Sequence, residues 1–591
     1  MKAKYISLLV FPTLLLSSCT SLFGGVKSSE KEIAVYDIDR LDEQGNLSSG
    51  YQTTLQARFI SGQECIPYLT LSQYASLYDA HLANGFTSTV ESQLFSSMWT
   101  IKNGEDLYFA CSVNYLTCDI TMVGSISSTF SSKDDPRDLA ALNYGLKSSG
   151  SSRYLSENEK YANFSFYGYG INHFTYNKEH YYPLGLLDLS FSDSSTIYFT
   201  YNYSHIFSTR EVDNYSEVKY IDNDVEYTFD SQMESNRPSE TIPKYLRDYN
   251  SHLFLYVMDH FYGLKKQKGY ASMAKYCREK GFYSNLFSSD NEKRTWAFAD
   301  SLSSLDDNHT ALVSVNKTWG DPLYSPIRRY GEGCYNRSKL RSTLKEYRAD
   351  MYEDANATAG VDVIYSDDGK TALFSFDSFA FGTSEQVFNE DGSIKETAKE
   401  HDTFFKLIDA FNRIENQGTV ENVVLDISLN GGGTVGVMMK LLGLISASSG
   451  SYLWFYDDLT TQLDTYTYQV DIHNDKVYDT SDCFGDDFNI YLLTSDCSYS
   501  CGNAFPCIAQ LENDVAIIGQ KSGGGECAVA VHYLPNSEYV YHSSNLHLGS
   551  YDEQTKVFSG FEGGAIPDIE IPINANFYSI EAINTAIRNA Q

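Results

Sequence analysis

The sequence predicts a multidomain protein with an α/β core in its C-terminal part, preceded by a small helical module and by a β-rich α+β region at the N-terminus. Three observations predict this organisation. The chain has 591 residues, far more than the roughly 100–200 of one ordinary domain. Short β-type runs dominate residues 33–235. Apolar residues at helical spacing follow over 243–315, and strands alternate with helices over 370–591.

Composition narrows the classes of function. The chain has 77 acidic and 44 basic residues, so its formal net charge is −33. A surface of this charge repels nucleic-acid phosphates, and we expect no nucleic-acid partner. The 47 tyrosines and the aromatic content of 14% are typical of a β-rich extracellular protein rather than of a disordered or coiled-coil chain.

The N-terminus predicts export. Lys2 and Lys4 precede an apolar run over 6–16 that is too short to span a bilayer. The run ends in LSSC at 16–19, which resembles the lipobox of bacterial lipoproteins. This resemblance implies a signal peptide over 1–18, a lipid on Cys19 and a location in the bacterial cell envelope. An ordinary signal peptide cleaved nearby is the alternative. Residues 19–32 are small and polar, as expected of a flexible tether.

Cysteine spacing does not indicate a metal site. The chain has 11 cysteines, one of which is Cys19. The remaining even number permits disulfides in an oxidising compartment, and buried thiols are the other expectation. Because the sequence has neither a CxxC pair nor a CxxC…HxxxH spacing, we predict no structural metal and no cofactor.

Residues 33–235 predict a β-rich accessory region that contains some helix. Runs with the β-branched and aromatic composition of strands lie at 33–36, 52–60, 107–113 and 195–201, and 70–78 has helical character. His173, His180 and His205 have the irregular spacing that is typical of core or solvated histidines rather than of ligands. We find no catalytic chemistry in this region.

The pattern becomes helical after Pro243. Apolar and aromatic residues recur at helical spacing over 249–282, and a second helical run covers 296–305. These runs predict a small helical module over 243–315, which ends in LDDNHT at 305–310. The following residues, 316–369, are polar and predict a loop or lid rather than another domain.

The C-terminal part, 370–591, has the alternating pattern of an α/β domain. The predicted strands are 373–379, 423–427, 489–494 and 515–518, and the predicted helices are 402–414, 435–445 and 500–511. Two of the junctions between a strand and a helix contain residues that suit catalysis.

The first junction contains Gly431, Gly432 and Gly433. Glycines between a strand and a helix expose backbone N–H groups that suit an anion, or the oxyanion formed in acyl transfer. A phosphate loop is the weaker interpretation of these glycines, because no Gly-Lys-Ser/Thr follows and GxGxxG is absent. At the second junction, Ser500 begins a helix directly after a strand. This position suits a nucleophile, although a helix N-cap is the ordinary role of such a serine.

Four segments together resemble the tail-specific (C-terminal processing) and tricorn-type serine peptidases. In chain order, LDDNHT at 305–310 is similar to the family's LxDxHT element, and VLDISLNGGG at 424–433 to its LDLRxNxGG motif. SYSCGNAF at 498–505 with VAIIGQ at 515–520 is similar to SASASE…VVGE, and GFEGGAIPDI at 560–569 to GIxPDxxV. The resemblance covers roughly residues 250–591.

The resemblance implies a crotonase/ClpP-like spiral of strands and helices in the core, with a hydrolytic site in it. Ser500 would be the nucleophile, His309 the general base, and Glu562 the group that orients the histidine. The implied oxyanion hole consists of backbone N–H groups of Gly432, Gly433 and Cys501.

The sequence departs from the family pattern at several points, and the absent lysine and the short segment after His309 place the chain nearer the tricorn-like branch. Ser428 stands where the motif has arginine. The lysine of Ser-Lys processing peptidases is absent from the turn at 523–526, and Lys521 is the nearest alternative base. The segment between His309 and residue 373 is also too short for a PDZ domain.

The sequence therefore predicts an exported, membrane-anchored serine endopeptidase or processing peptidase that acts on a peptide or protein substrate. Two alternatives stay open. One is a non-catalytic surface lipoprotein that keeps the fold to bind peptides, and the other is an acyl hydrolase with a different substrate.

Overall fold

The computed structural model describes residues 30–31, 35–41, 47–79, 81–129, 139–156, 159–191, 198–201, 203, 206–209, 219–222, 225–228, 237, 239–314, 331–446, 451–512, 515–535 and 538–590. The predicted signal peptide, Cys19, most of the predicted tether and His205 lie outside these residues. None of the helices in the described residues is long and apolar enough to cross a membrane. The predicted fold class is confirmed: the chain is a multidomain protein with an α/β core and a β-rich N-terminal region.

The N-terminal region consists of small, mostly antiparallel sheets. Its strands are β1 (Glu30–Lys31), β2 (Val35–Leu41), β3 (Leu47–Gln56), β4 (Phe59–Ile60), β5 (Tyr68–Leu69), β6 (Phe86–Ser92), β7 (Ser96–Asn103), β8 (Asp106–Asn114), β9 (Asp119–Gly124), β10 (Leu146–Tyr154), β11 (Ala162–Ser165), β12 (Phe174–Tyr176), β13 (Glu179–Pro183), β14 (Tyr198–Tyr201), β15 (Ile206–Thr209), β16 (Lys219–Asp222) and β17 (Val225–Thr228). Its helices are α1 (Leu71–Tyr78), α2 (Leu139–Leu142) and α3 (Leu184–Phe191). The largest sheet that lies within this region has the order β11-β9-β8-β7-β6.

His173 and His180, the two of the predicted histidines that the structure describes, take part in packing. His180 is buried, stacks on Tyr115 with ring centroids 3.5 Å apart, and shares a hydrogen bond of 2.8 Å with Thr175. His173 Nε2 lies 3.1 Å from the carbonyl oxygen of Tyr115. Both side chains therefore have local packing and hydrogen-bond contacts.

The helical module follows and leads into a short strand. It contains α4 (Lys244–His260), α5 (Met273–Glu279), α6 (Tyr283–Leu286) and α7 (Asn291–Ser303), and strand β18 (Ala311–Ser314) comes next. The apolar faces of α4 and α7 pack together, with the rings of Phe254 and Phe298 4.6 Å apart. The loop between α7 and β18 carries His309.

The α/β core is built on a six-stranded sheet. Its strands, in the order in which they lie, are β19 (Ile364–Tyr365), β20 (Thr371–Ser375), β21 (Asn422–Asp426), β24 (Asn489–Thr494), β25 (Ala516–Gly519) and β29 (Ile569–Glu570). All neighbouring pairs from β20 to β29 are parallel. Parallel strands need crossover connections, which explains the alternation of strands and helices in the sequence.

Both faces of this sheet are buried, as is usual for parallel strands. The helices are α8 (Glu332–Asp354), α9 (Ser384–Val387), α10 (Ala398–His401), α11 (Thr403–Gln417), α12 (Val435–Ile445), α13 (Cys501–Glu512) and α14 (Ile580–Ala590). Alternate strand residues such as Val423 and Leu425 face α11, α12 and α13, whereas Val424 and Leu493 face α8 and α14. The core is therefore a three-layer α/β structure.

A second large sheet joins distant parts of the chain. It has the order β10-β23-β22-β27-β18, in which β22 is Ser451–Asp457, β23 is Gln462–Val470 and β27 is Glu538–Asp552; β26 (Cys527–Leu534) and β28 (Val557–Gly560) also pair with β27. Strand β10 pairs with β23 along its whole length. Residues from the predicted accessory region and from the helical module thus form one sheet with the predicted peptidase core.

The prediction of a loop or lid over 316–369 is wrong for 332–354, which form helix α8. The helix buries only a narrow stripe that includes Leu344, Arg348 and Tyr352, at a spacing of four residues. An arginine in the middle of this stripe interrupts the apolar periodicity that indicates a helix. Its guanidinium donates to Asp377 at 2.6 and 2.7 Å and to the fully buried Asp426 at 3.3 Å.

We expect Arg348→Met to lower the free energy of unfolding by about 3–5 kcal/mol, because it leaves the buried Asp426 carboxylate without its cation. Urea unfolding followed by circular dichroism measures the loss. Lys345→Met is the matched control, since Lys345 is an exposed side chain on the same helix, and we expect a change within about 0.5 kcal/mol. Equal unfolding midpoints for the two variants would contradict this account of α8.

The ten cysteines in the described residues are buried free thiols. The sequence leaves disulfides and buried thiols open as alternatives, and the structure has buried thiols at these ten positions.

Candidate active site

Ser500 lies in the turn between β24 and α13. Its φ of 58° is in the left-handed region, which non-glycine residues seldom adopt. The Ser500 N–H donates to the Gly524 carbonyl at 3.0 Å, and the Ser500 carbonyl accepts the N–H groups of Asn503 and Ala504, at 2.8 Å each. This arrangement has the features of the strained strand-to-helix turn that exposes a nucleophilic serine.

The glycine loop, Gly431–Gly433, lies against Ser500. A Cβ on Gly432 would be 2.7 Å from the Ser500 Cβ, and Gly432 has a φ of 112°, so both space and backbone conformation require glycine. The Gly432 N–H donates to Asn430 Oδ1 at 2.9 Å. The N–H group expected to meet an oxyanion therefore has an internal partner. Cys501 begins α13, and the first N–H groups of a helix have no partner within the helix.

His309 lies beside the turn that carries Ser500. Strand β18, which follows it, is fixed by antiparallel pairing with β27, with Ala311 opposite Tyr541. The His309 ring packs edge-on against Tyr499, with centroids 4.9 Å apart. Its Nδ1 atom is buried and meets no hydrogen-bond partner among the described residues. Tyr499 directly precedes Ser500, so the structure brings the two predicted residues to one site, although no hydrogen bond between described atoms joins their side chains.

Asp307 connects the loop of His309 to the turn of Ser500. Its Oδ1 accepts the His309 N–H at 3.0 Å and the Tyr499 hydroxyl at 3.1 Å. Its Oδ2 accepts the hydroxyls of Thr310 at 2.6 Å and Ser543 at 2.8 Å. Sequence motifs alone give Asp307 no role, although its place in the LDDNHT segment, two residues before His309, is a signal that could identify it.

The surroundings of His309 and Asp307 favour a neutral histidine. Burial lowers the pKa of His309; the nearby Asp307 opposes this effect and Arg337 adds to it. Burial raises the pKa of Asp307, but His309 and the hydrogen bonds from Thr310 and Ser543 outweigh it and hold that pKa below its ordinary value. An imidazole with a lowered pKa is unprotonated near neutral pH, the form that a general base requires.

Glu562 lies beside the glycine turn that supports Ser500. Its Oε2 accepts the N–H groups of Gly525 at 2.9 Å and Glu526 at 3.1 Å, and its own N–H donates to Glu526 Oε2 at 2.7 Å. Burial raises the pKa of Glu562, although the hydrogen bonds from the two N–H groups oppose this effect. Among the described residues, no hydrogen bond joins Glu562 to His309.

The other predicted positions have clear surroundings. The Lys521 side chain is exposed. The Cys501 thiol is buried, donates to the Gly433 carbonyl at 3.1 Å, and has its pKa raised to about 12 by burial, so it is an uncharged thiol. Ser428, which stands where the family motif has arginine, donates to the buried Asp426 at 2.6 Å. Arg348 of α8 also binds Asp426. An arginine from another part of the chain therefore lies close to the position of the motif's arginine.

A cavity of about 280 Å³ opens beside His309. The residues that line it include Asp307, Gly431, Tyr499, Arg337 and Arg341. Both arginines come from α8, so they could not be placed at this site while residues 332–354 were predicted to be a loop. A groove beside the histidine and the glycine loop is a suitable place for a substrate chain.

One cluster in the described residues has donors for a metal. Glu526, Cys527 and His547 are buried, and one potential ligand atom from each lies within 4.8 Å of the others. The sequence-based prediction of no metal rests on local spacing, whereas Cys527 begins β26 directly after Glu526 and His547 lies on β27, 20 residues after Cys527.

The comparison with protein families identifies the domain. Residues 388–571 match the model of peptidase family S41. This chain contains an S41 peptidase domain. The matched residues include the glycine loop, Ser500 and Glu562, whereas His309 precedes them. The resemblance inferred from the four segments is confirmed at the level of this family.

Solved structures give distant likenesses to this chain. A protein from Parabacteroides merdae is 17% identical, with a TM-score of 0.38, over 58% of this chain and 95% of that one. A lipoprotein from Streptococcus agalactiae is 12% identical, with a TM-score of 0.33, over 58% of this chain and 98% of that one. Mature CPAF is 12% identical, with a TM-score of 0.36, over 58% and 98% of the two chains. No curated protein matches the sequence.

Proposed function

We propose that this protein is a serine endopeptidase or processing peptidase in which Ser500 is the nucleophile. The observation that carries the proposal is the conformation of Ser500, with a φ of 58° at a strand-to-helix turn directly against the glycine loop. Backbone strain of this kind is concentrated at functional sites. The S41 domain supports a peptide or protein substrate, and no step of the proposed reaction needs a cofactor.

In the proposed reaction, Ser500 Oγ attacks the carbonyl carbon of the scissile peptide bond. His309 accepts the Oγ proton and then gives it to the leaving amine. Asp307 holds the backbone of His309 and the hydroxyl of Tyr499, so it positions the base relative to the turn of the nucleophile. Substrate binding would bring the imidazole within hydrogen-bond distance of Oγ, since such bonds are often formed only in the complex.

Glu562 would orient the imidazole through a bridging group. Its carboxylate already accepts two backbone N–H groups, and the buried Nδ1 atom of His309 needs an acceptor for its proton. A water molecule between the two would satisfy both side chains.

The oxyanion would be stabilised by the N–H of Cys501 together with the glycine loop. The Gly432 N–H becomes available when it exchanges Asn430 Oδ1 for the substrate oxygen, and Gly433 is the other donor that the family motif implies. One such donor is worth about 2.7–4 kcal/mol in other enzymes. The exchange makes the oxyanion hole a feature of the substrate-bound state.

A fluorophosphonate probe tests the proposal, because it reacts with a serine only when a base and an oxyanion hole act on it. We expect one adduct per folded chain, located on Ser500 by peptide mass spectrometry. The heat-denatured chain is the control and should not react. An unlabelled folded chain, or an adduct at another serine, would contradict the assignment.

A second candidate function is peptide binding without hydrolysis. Two features favour it: the Gly432 N–H is engaged by Asn430, and described atoms form no hydrogen bond between Ser500 and His309. A binder of this kind would hold peptides in an anisotropy assay, resist the fluorophosphonate probe and leave the peptides intact.

We further propose that the peptidase is anchored in the membrane of the bacterial cell envelope, which the lipobox-like sequence at 16–19 supports. We expect the mature protein to partition into the detergent phase, and Cys19→Ala to release it or to block its processing. Membrane fractionation and intact-mass analysis measure both effects. Cys65→Ala is the control, because it removes a thiol from the folded body. A mature native protein with an unmodified N-terminus downstream of Cys19 would reject the anchor.

A further inference from the structure

We propose that Glu526, Cys527 and His547 form a binding site for a divalent transition metal, with zinc as the ion that suits the three donors best. The nitrogen of histidine, the sulfur of cysteine and the oxygen of glutamate are the ligand types that zinc takes in proteins. Cys527 is the first residue of strand β26, Glu526 directly precedes it, and His547 lies on strand β27.

The strand pairing places the donors together. Cys527 and His547 are direct partners in the register of β26 with β27. Directly opposed residues of an antiparallel pair project to the same face of the sheet. Glu526, one residue earlier, extends to the same point, where its Oε1 is 2.8 Å from His547 Nδ1.

The distances suit a small ion. Cys527 Sγ lies 3.5 Å from His547 Nδ1, and all three ligand atoms lie within 4.8 Å of one another. Around tetrahedral zinc, with bonds of about 2.0–2.3 Å, ligand atoms are about 3.3–3.6 Å apart. The sulfur-to-nitrogen distance already has this value. The oxygen-to-nitrogen distance is shorter by about half an ångström, which a small side-chain rotation corrects.

The surroundings are those of a metal site. The three residues are 4%, 2% and 5% exposed, so the site is shielded from bulk water. The Nε2 atom of His547 is buried without a hydrogen-bond partner among the described residues, and it faces Asp458 Oδ2 at 3.7 Å. In metal sites, the histidine nitrogen that does not bind the ion usually faces a carboxylate, which orients the ring. Water would complete the coordination.

Metal binding has a simple proton balance. The Cys527 thiol and His547 Nδ1 release to solvent whatever protons they hold, and the ion takes their place. Without a metal, His547 and Glu526 form an ion pair, which is the competing explanation of the cluster.

The site has a direct connection to the proposed catalytic machinery, and this part of the inference rests on the proposed function. Glu526 Oε2 accepts the Glu562 N–H at 2.7 Å, while Oε1 faces the metal position. A bound ion would therefore fix the segment that carries the orienting carboxylate, making Glu526 a positioning residue.

Zinc binding to the purified full chain tests the site. After chelator treatment, zinc is titrated in competition with a chromophoric chelator, and cobalt(II) is added to a second sample to detect thiolate-to-cobalt charge-transfer absorption. We expect one ion per chain and a cobalt–thiolate band. Cys527→Ser should lose the band and bind zinc at least tenfold more weakly. Cys277→Ser, which alters an equally buried thiol on α5, should behave as the wild type.

Asp458→Asn keeps the test decisive if Cys527→Ser does not fold. Asp458 is 41% exposed, so its replacement should preserve the fold, and we expect about 10–100-fold weaker zinc binding. Wild-type affinity in Asp458→Asn, a band that persists in folded Cys527→Ser, or no zinc bound to the wild type would each overturn the proposal. Zinc binding is measured without hydrolysis, so the two proposals can fail separately. A chain that binds zinc but does not hydrolyse peptides would reject only the proposed function. A chain that hydrolyses peptides but binds no zinc would reject only the metal site.

Discussion

Ser500→Ala is expected to lower kcat/KM for peptide hydrolysis at least about 10⁴-fold, because the variant has no nucleophile and keeps only binding and the oxyanion donors. The fold should survive. No described group hydrogen-bonds to the Ser500 side chain, and alanine meets the same backbone strain at a φ of 58°. We therefore expect a change in the free energy of unfolding within about 1 kcal/mol. Initial rates with an internally quenched peptide, together with thermal melting, measure the two effects.

Cys501→Ala is the matched control for this prediction. It removes the neighbouring thiol but leaves the backbone N–H that is proposed to bind the oxyanion. Because burial raises the pKa of Cys501 to about 12, the thiol is uncharged and unsuited to attack. Activity should stay within about tenfold of the wild type. Wild-type turnover in Ser500→Ala combined with an inactive Cys501→Ala would mean that the chemistry is thiol-based.

The elements around Ser500 could be predicted from sequence because their patterns are strong. Residues 435–445 and 489–494 form a helix and a strand with the predicted ends. Buried parallel strands are continuously apolar, and the helices between them carry apolar residues at a spacing of three to four. Glycines and a serine at the junctions add turn chemistry that depends on few neighbours in sequence.

Helix α8 could not be predicted in the same way. Its buried stripe contains Arg348, whose partners Asp377 and Asp426 are far away in sequence, and most of its other residues are polar. Only the folded core makes an arginine at this position favourable. The arginines that line the cavity beside His309 are on this helix, so their position in the site also depends on tertiary structure.

The finer geometry of the site depends on contacts between distant segments. The sequence motifs predicted Ser500 and His309, and the structure places both beside Tyr499. They did not predict that Asp307 binds Tyr499 and Ser543, or that Asn430 takes the Gly432 N–H. The bonds of Asp307 join residues 192 and 236 positions apart in sequence, and local periodicity and spacing give no information on such contacts. The assignment of catalytic roles stays a prediction that the variants test.

His309→Ala is expected to lower kcat/KM by about 10²–10⁴-fold, the usual contribution of a positioned general base. Lys521→Ala should stay within about tenfold of the wild type, or about 1.4 kcal/mol in barrier, because Lys521 is an exposed side chain whereas His309 packs against Tyr499 beside the nucleophile. Both variants are assayed with the same quenched peptide, and thermal melting checks that each is folded. The reverse result would transfer the base role to Lys521 and leave His309 as a structural residue.

The pH dependence of the wild type gives an independent test of the same base. His309 accepts a proton only when neutral, so kcat/KM falls as pH drops through the pKa of His309. Burial lowers this pKa from its ordinary value of about 6.5, and Arg337 adds to the effect, so we expect the midpoint of the acid limb below about pH 6.5. A lysine base starts from about 10.4 and would place the limb higher unless burial lowered its pKa by several units, and Lys521 is exposed. Arg337→Met removes the cation that disfavours protonated His309 and should move the limb to higher pH. A limb that stays in place in folded Arg337→Met would show that a group other than His309 controls it.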